Sequence, residues 1–296
     1  MLRIFGYLVG LGVIAALGIF VLTLPDPLTE AEVAGLTGDA TKGEMVFWAA
    51  GCASCHMAPE AKGVDQLILK GGQRFPSPFG TFIAPNISQD PGHGIGAWSL
   101  LDLANALKRG VGREGEHLFP ALPYGAYAKM DMQDVADLYA FLKTLPADPT
   151  PSAEHELAFP FSRREGVGVW KLLFLSEDWV IDDNLTPTAT RGRYIAEAMA
   201  HCGECHTPRN VLGGLKTSVW LSGAPDPSGQ GRIPNITPAR LTWSVEEIVA
   251  YLTTGFTPDF DVVGGHMAHV VENMSRLPES DRLAVAEYLG TLPAIE

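Results

Sequence analysis

The stretch "GCASCH" at residues 51–56 decides how this 296-residue chain is read, because it returns at 201–206 as "HCGECH". The two copies hold all four cysteines. In each, a Cys-x-x-Cys pair is followed directly by a histidine. On a helix, a spacing of three places both sulfurs on one side of a turn, with the imidazole projecting beside them.

The surroundings of the motif repeat as well. "APNIS" (84–88) returns as "IPNIT" (233–237), and "AWSLLDLANALKRGV" (97–111) as "TWSVEEIVAYLTTGF" (242–256). "LYAFLKTLP" (138–146) returns as "AEYLGTLP" (286–293). The offsets are 150 residues at Cys52/Cys202, 149 at Asn86/Asn235, 145 at Trp98/Trp243 and 147 at Pro146/Pro293. Four anchors in one order, with a period too long for a solenoid, indicate two complete domains from a duplication. They are expected at 38–146 and 189–296, joined by a linker at 147–188.

Each copy predicts the same elements. A helix leads into the motif ("KGEMVFWAAGC", "RGRYIAEAMAHC"), and a Gly/Pro loop follows it to "PNI". Capping signals, Ser99-x-x-Asp102 and Ser244-x-x-Glu247, open the next helix. A last helix begins near Asp131 or Glu279, with Leu138, Phe141 and Leu142, or Val285, Tyr288 and Leu289, facing inward. No run alternates with period two long enough to argue for a sheet, so the expectation is all-α with long loops. Three or four short helices give a thin core, and some other body must fill it.

Cys-x-x-Cys-His is the attachment signature of c-type haem. Its thiols form thioether bonds to the porphyrin, and the histidine becomes the proximal iron ligand. Two covalently attached haem c groups are therefore expected: haem 1 on Cys52, Cys55 and His56, and haem 2 on Cys202, Cys205 and His206. Structural disulfides would leave the trailing histidines without purpose. A thioredoxin-like redox pair needs a strand before its motif, where a helix is expected here. A zinc site would join pairs from two separate repeats and leave each repeat incomplete.

The sixth iron position in electron carriers is usually a methionine, whose thioether raises the potential. In the second copy Met267 stands on a loop in "GGHMAHVV", with Met274, His266 and His269 as rivals. In the first, Met130 and Met132 are available, and Met130 aligns with Leu277, so it reads equally as a core residue. An open or histidine-ligated haem 1 stays possible there, although His93 and His117 read as surface residues.

A net charge of −13 argues against nucleic acid as a partner and suits a basic protein partner. Ile4 to Leu24 carries no charge, with Arg3 before it and "PDPLTEAE" behind. That pattern predicts a transmembrane anchor within 1–24, with Gly6 and Gly10 spaced for helix–helix contact. The chain would then be a single-pass protein of the bacterial inner (cytoplasmic) membrane, with its haem domains in the periplasm. A cleaved signal peptide is the rival reading. The apolar run 167–175 in the linker fits the interdomain seam, with contact to a membrane surface or partner subunit as the alternative.

On these residues the chain resembles the membrane-anchored dihaem cytochromes c. It is similar to the cytochrome c subunits of periplasmic alcohol, aldehyde and gluconate dehydrogenases. The resemblance runs from about Gly38 to Pro293. It includes "PFGTFIAPNIS", "GIGAWSL", "FPALPYGAYAKM", "FPFSRREGVGVWKLLF", "HCGECHTPRN", "RIPNIT" and "GFTPDFDVVGGHM". It implies an N-terminal transmembrane helix followed by two tandem class I cytochrome c domains, with Met130 in "YAKM" and Met267 in "GGHM" as axial ligands. It departs from the family in haem count, since relatives usually carry three haem domains, and in Leu122, where some relatives have methionine. The expected function is electron transfer, not catalysis. Electrons would pass between a periplasmic dehydrogenase or quinol-oxidising complex and an oxidase or soluble cytochrome. A permanent haem subunit of a terminal oxidase differs only in its association. The alternative is a dihaem redox enzyme with an open site at haem 1 and Glu114, Glu116 or His117 as the distal group.

Overall fold

The computed structural model describes residues 2–182, 184–227, 229 and 231–296. From the N-terminus, α1 (Leu2–Leu22) and the short α2 (Glu30–Val33) lead to α3 (Ala40–Ala49) and the motif helix α4 (Cys52–His56). After a long loop come α5 (Leu100–Ala104), α6 (Tyr124–Tyr127) and α7 (Met132–Leu142). Next, α8 (Glu165–Phe174) lies in the linker. The pattern then returns as α9 (Pro187–Arg193), α10 (Gly203–His206), α11 (Val245–Thr254), α12 (Met267–Ser275) and α13 (Glu279–Thr291).

Local chemistry sets the helix starts. The Asp39 carboxylate accepts from the Thr41 and Lys42 amides and caps α3. Both expected capping boxes form, Ser99 with Asp102 on α5 and Ser244 with Glu247 on α11. Each half is framed by its first helix crossing its last, α3 on α7 and α9 on α13. Leu138 and Leu142, like Val285 and Tyr288, are buried in these crossings as expected. Two helices continue into π-helical turns, α5 at Asn105–Arg109 and α9 at Tyr194–Met199. Such turns often mark functional sites.

The all-α expectation is corrected. Five short strands occur among the described residues: β1 (Arg74–Ser77), β2 (Gly80–Ile83), β3 (Glu156–Leu157), β4 (Ala224–Pro225) and β5 (Arg232–Ile233). β1 and β2 form an antiparallel hairpin, and β3 pairs with β2 through Gly80↔Leu157 and Thr81↔Glu156. β4 pairs with β5. Runs of two to four residues are too short to show alternation, and the partner of β2 lies in the linker, beyond any local pattern.

The membrane anchor is corrected too. Among the described residues no helix is long and apolar enough to cross a membrane. In α1 the side chains at 2, 3, 6, 9 and 16 lie outside the description, so no unbroken apolar run of that length is described. The Arg3 charge and the Gly6 end of the Gly6–Gly10 spacing fall on those positions. Neither the expected anchor within 1–24 nor the single-pass inner-membrane location that depended on it is supported.

Part of the linker's apolar run packs between the halves, while Val169, Leu172 and Leu173 stay exposed. Val167 and Gly168 on α8 are buried against the first half, where Gly168 meets the Thr23 carbonyl and His117. On its other flank Trp170 and Phe174 lie against Gly213 and Gly214 of the second half.

Candidate haem sites

Both motifs form a short helical turn, and both histidines are held alike. His56 Nδ1 lies 2.9 Å from the Pro85 carbonyl, and His206 Nδ1 lies 2.8 Å from the Pro234 carbonyl. A carbonyl only accepts, so Nδ1 carries the proton and donates, and Nε2 keeps its lone pair. This second hydrogen bond fixes the tautomer and orientation of a metal-ligating imidazole. The motif backbone is pinned in parallel: Gly71 N donates to the His56 carbonyl and Gly223 N to the His206 carbonyl, each at 2.7 Å. Burial holds both imidazoles below the usual histidine range, which keeps them neutral.

All four thiols are free. Burial pushes Cys52 and Cys202 up to about 12 and Cys55 up to about 11, and raises Cys205 as well. A Cβ on Gly51, at the head of the first motif, would stand 3.9 Å from His201 Nε2, so the two motifs adjoin. Each motif thus offers two protonated thiols and one imidazole lone pair, the donor set that a covalently attached haem requires.

Several side chains bind the motifs together. Ala50, just before the first motif, accepts from Tyr127 Oη at 2.8 Å. The Tyr127 and His201 rings meet edge-on at 5.7 Å. Ser54 Oγ, inside the first motif, accepts from Asn273 Nδ2 at 2.8 Å.

Met130 is buried in the core and follows α6, and the Lys108 ammonium donates to the Ala128 and Met130 carbonyls at 2.6 and 2.5 Å. Lys108 sits on the π-helical turn. Met267 is half-buried against the core, but it opens α12 instead of standing on a loop. Its rival Met274 is buried, and its carbonyl takes Arg282 Nη1 at 3.1 Å. Met132 and Leu122 are partly buried against the same core. His266 is exposed and packs on Phe75, His269 is half-buried, and His93 is exposed.

His117 departs from expectation. It is only 7% exposed, with Nε2 on the Thr23 carbonyl at 2.9 Å and Nδ1 3.1 Å from Lys171 Nζ. It is sealed beneath α8. The Glu116 carboxylate turns back to the Glu114 amide in its own exposed loop. Both ring nitrogens of His117 are thus engaged.

The carbonyls of Pro85 and Pro234 and the amides of Gly71 and Gly223 are site groups that sequence reading did not assign. The first pair had a signal, since "PNI" recurs 149 residues apart. Lys108 had none, because its bonds depend on a π turn.

Residues 40–146 match the cytochrome c family model. The chain is 54% identical over 275 residues to a diheme cytochrome c-type protein of Cereibacter sphaeroides, covering 93% of each. It is 37% identical over 262 residues to the fructose dehydrogenase cytochrome subunit of Gluconobacter japonicus, covering 86% of this chain and 52% of that one. It is 30% identical over 266 residues to the cytochrome c subunit of a quinone alcohol dehydrogenase of Gluconobacter oxydans, covering 86% and 55%. The chain thus spans about half the length of those two subunits. With two duplicated attachment sites and these likenesses, the chain belongs to the dihaem cytochromes c, electron-transfer proteins that hold two covalent haem c groups and are not themselves catalysts.

Proposed function

We propose that the chain relays electrons from a dehydrogenase or quinol-oxidising complex to an oxidase or soluble cytochrome. Two haem units at 38–146 and 189–296 carry the relay. Haem 1 is held by Cys52, Cys55, His56 and Met130, and haem 2 by Cys202, Cys205, His206 and Met267. The observation that carries this reading is the repeated histidine–proline bond, which leaves Nε2 free at both motifs while the motifs themselves adjoin. A dehydrogenase is the favoured donor because the relatives include cytochrome subunits of dehydrogenases.

The haem supplies one-electron chemistry at its iron. The chain's residues do the rest. The Pro85 and Pro234 carbonyls orient the imidazoles, and the burial of Met130 would keep water from an iron bound beside it. Lys108 holds the segment that presents Met130. Tyr127, bonded to the Ala50 carbonyl and edge-on to the His201 ring, spans the two sites.

The test uses the haem-loaded full chain. Cys202→Ser/Cys205→Ser halves the pyridine haemochrome yield per chain, and Met130→Leu or Met267→Leu each removes part of the ferric methionine–iron charge-transfer band. Rapid cyanide or CO binding by the unaltered chain, with no such band, would defeat the methionine assignments and the relay with them.

A further inference from the structure

The loops after α5 and α11 are one structure 145 residues apart. Val111 is bridged to His117 in the first, and Phe256 to Val262 in the second. The inner hydrogen bonds repeat: Gly112 N to Glu116 O at 2.8 Å and Gly115 N to Gly112 O at 2.9 Å, against Thr257 N to Asp261 O and Phe260 N to Thr257 O, both at 2.9 Å. Leu118 N to Gly110 O at 2.7 Å is matched by Val263 N to Gly255 O at 2.8 Å.

The two loops differ in what covers them. On the first lies α8, with Gly168 against His117 and a cation toward each end of the contact. Arg164 donates to the His117 carbonyl at 2.8 Å, and Lys171 to the Arg109 and Gly110 carbonyls at 2.7 and 2.6 Å. Beneath it Val111 is 2% exposed. On the second loop Phe256 is 51%, Phe260 85% and Val262 69% exposed. The tips differ too. Gly115 sits at φ +82°, a conformation natural to glycine, whereas Phe260 occupies the same place at φ +65°. An aromatic residue in left-handed backbone at an exposed tip is strained, and such strain clusters at binding sites. Asp259 and Asp261 flank it.

We propose that the Phe256–Val262 loop is the docking site for an amphipathic helix of a protein redox partner, apolar on one side and bearing arginine or lysine near its ends. The first half of the chain supplies the argument for that occupant: an equivalent loop is covered by α8, which turns Val167 and Gly168 inward and brings Arg164 and Lys171 to the loop's carbonyls. The aspartates at the tip favour the cations of such a helix. The loop runs on to Met267, so a docked partner stands beside the segment assigned to haem 2. The redox role of the partner rests on the relay reading, whereas the docking contact does not.

The probe is a labelled peptide of residues 160–177 of this chain, titrated onto the haem-loaded full chain and followed by fluorescence anisotropy. Phe260→Gly removes the ring and installs the residue found at the equivalent tip, so the loop keeps its fold. Binding is expected to weaken at least tenfold in this variant. In Asp259→Asn/Asp261→Asn, binding loses most of its salt dependence. No binding, equal binding to the Phe260→Gly chain, or Phe260-dependent binding to anionic vesicles in place of the peptide would overturn the proposal. Binding is read without electron transfer, so a chain that takes the peptide at Phe260 and fails to relay sustains the docking site and defeats only the relay.

Discussion

Glu197 and Phe47 occupy equivalent places 150 residues apart, and Tyr288 and Phe141 do so 147 apart. In the first half the pair is apolar, with ring centroids 5.2 Å apart. In the second it is polar and buried. Tyr288 Oη donates to Glu197 at 2.6 Å, Trp220 Nε1 donates to Tyr288 Oη at 3.2 Å, and the Val180 and Ile181 amides donate to the carboxylate at 2.8 and 3.3 Å. Removing one member of a satisfied buried network leaves its partners unpaired and costs about 1–3 kcal/mol. Tyr288→Phe is therefore expected to lower unfolding stability by about 2 kcal/mol in denaturant titrations. Phe141→Leu, with no polar partner to strand, should cost less than Tyr288→Phe does. Close approach gives a second prediction at this scale. A Cβ on Gly43 would stand 1.9 Å from the Asp137 carbonyl oxygen, and one on Gly192 would stand 1.9 Å from that of Ala284. Those atoms are backbone and cannot swing aside, so Gly43→Ala should separate α3 from α7 at a cost of about 3 kcal/mol, read by the same titration.

Among the elements, α8 carries the prediction for pH. Burial holds Lys171 at about 8, below its free value of 10.5. The unfolded chain then binds more protons between those values, so stability rises with pH from about 8 toward 10.5. Below that window both states are protonated, and this group adds no slope. Lys171→Met should remove the rise in thermal unfolding measured across the window, and a slope that persists in the variant would assign it to other groups. This same helix shows why legibility varied. The motifs, the "PNI" echo and both capping boxes were readable because each is a local pattern of residue types. The apolar run 167–175 was legible as well, but not which of its residues would be covered: Val167 is buried and Leu172 and Leu173 are exposed. His117 was misplaced on the surface because its burial comes from α8, about fifty residues further along the sequence. The strands escaped for a related reason: β3 exists only as a partner to β2, and two residues carry no period. Lys108 owes its place to a π turn, which has no sequence signature in this chain.

At the scale of the whole molecule, the halves are joined by side chains around the two motifs. Asn273 donates to Ser54, Gln66 to Glu272 at 3.0 Å, and the Arg276 guanidinium lies 3.9 Å from the centroid of the Trp48 ring. Tyr194, on the π turn of the second half, donates to Asp134 and accepts from the Asp131 amide. Three of these contacts come from α12 and the Arg276 that caps it; α12 begins at the residue assigned to haem 2 and packs on α3, the helix that leads into the first motif. A helix with those two duties ties the order of one site to the order of the other. The haem-loaded chain should therefore unfold in one calorimetric transition, with calorimetric and van't Hoff enthalpies in agreement. The Asn273→Ala change removes a hydrogen bond of about 1 kcal/mol, and Arg276→Ala a cation–π contact of about 1 kcal/mol. Three residues apart at one end of α12, they are not expected to add independently. The double variant should resolve into two transitions while each half keeps its haem and its Soret band. Two transitions in the unaltered chain would mean that the halves fold separately, and that α12 packs across the seam without coupling the sites.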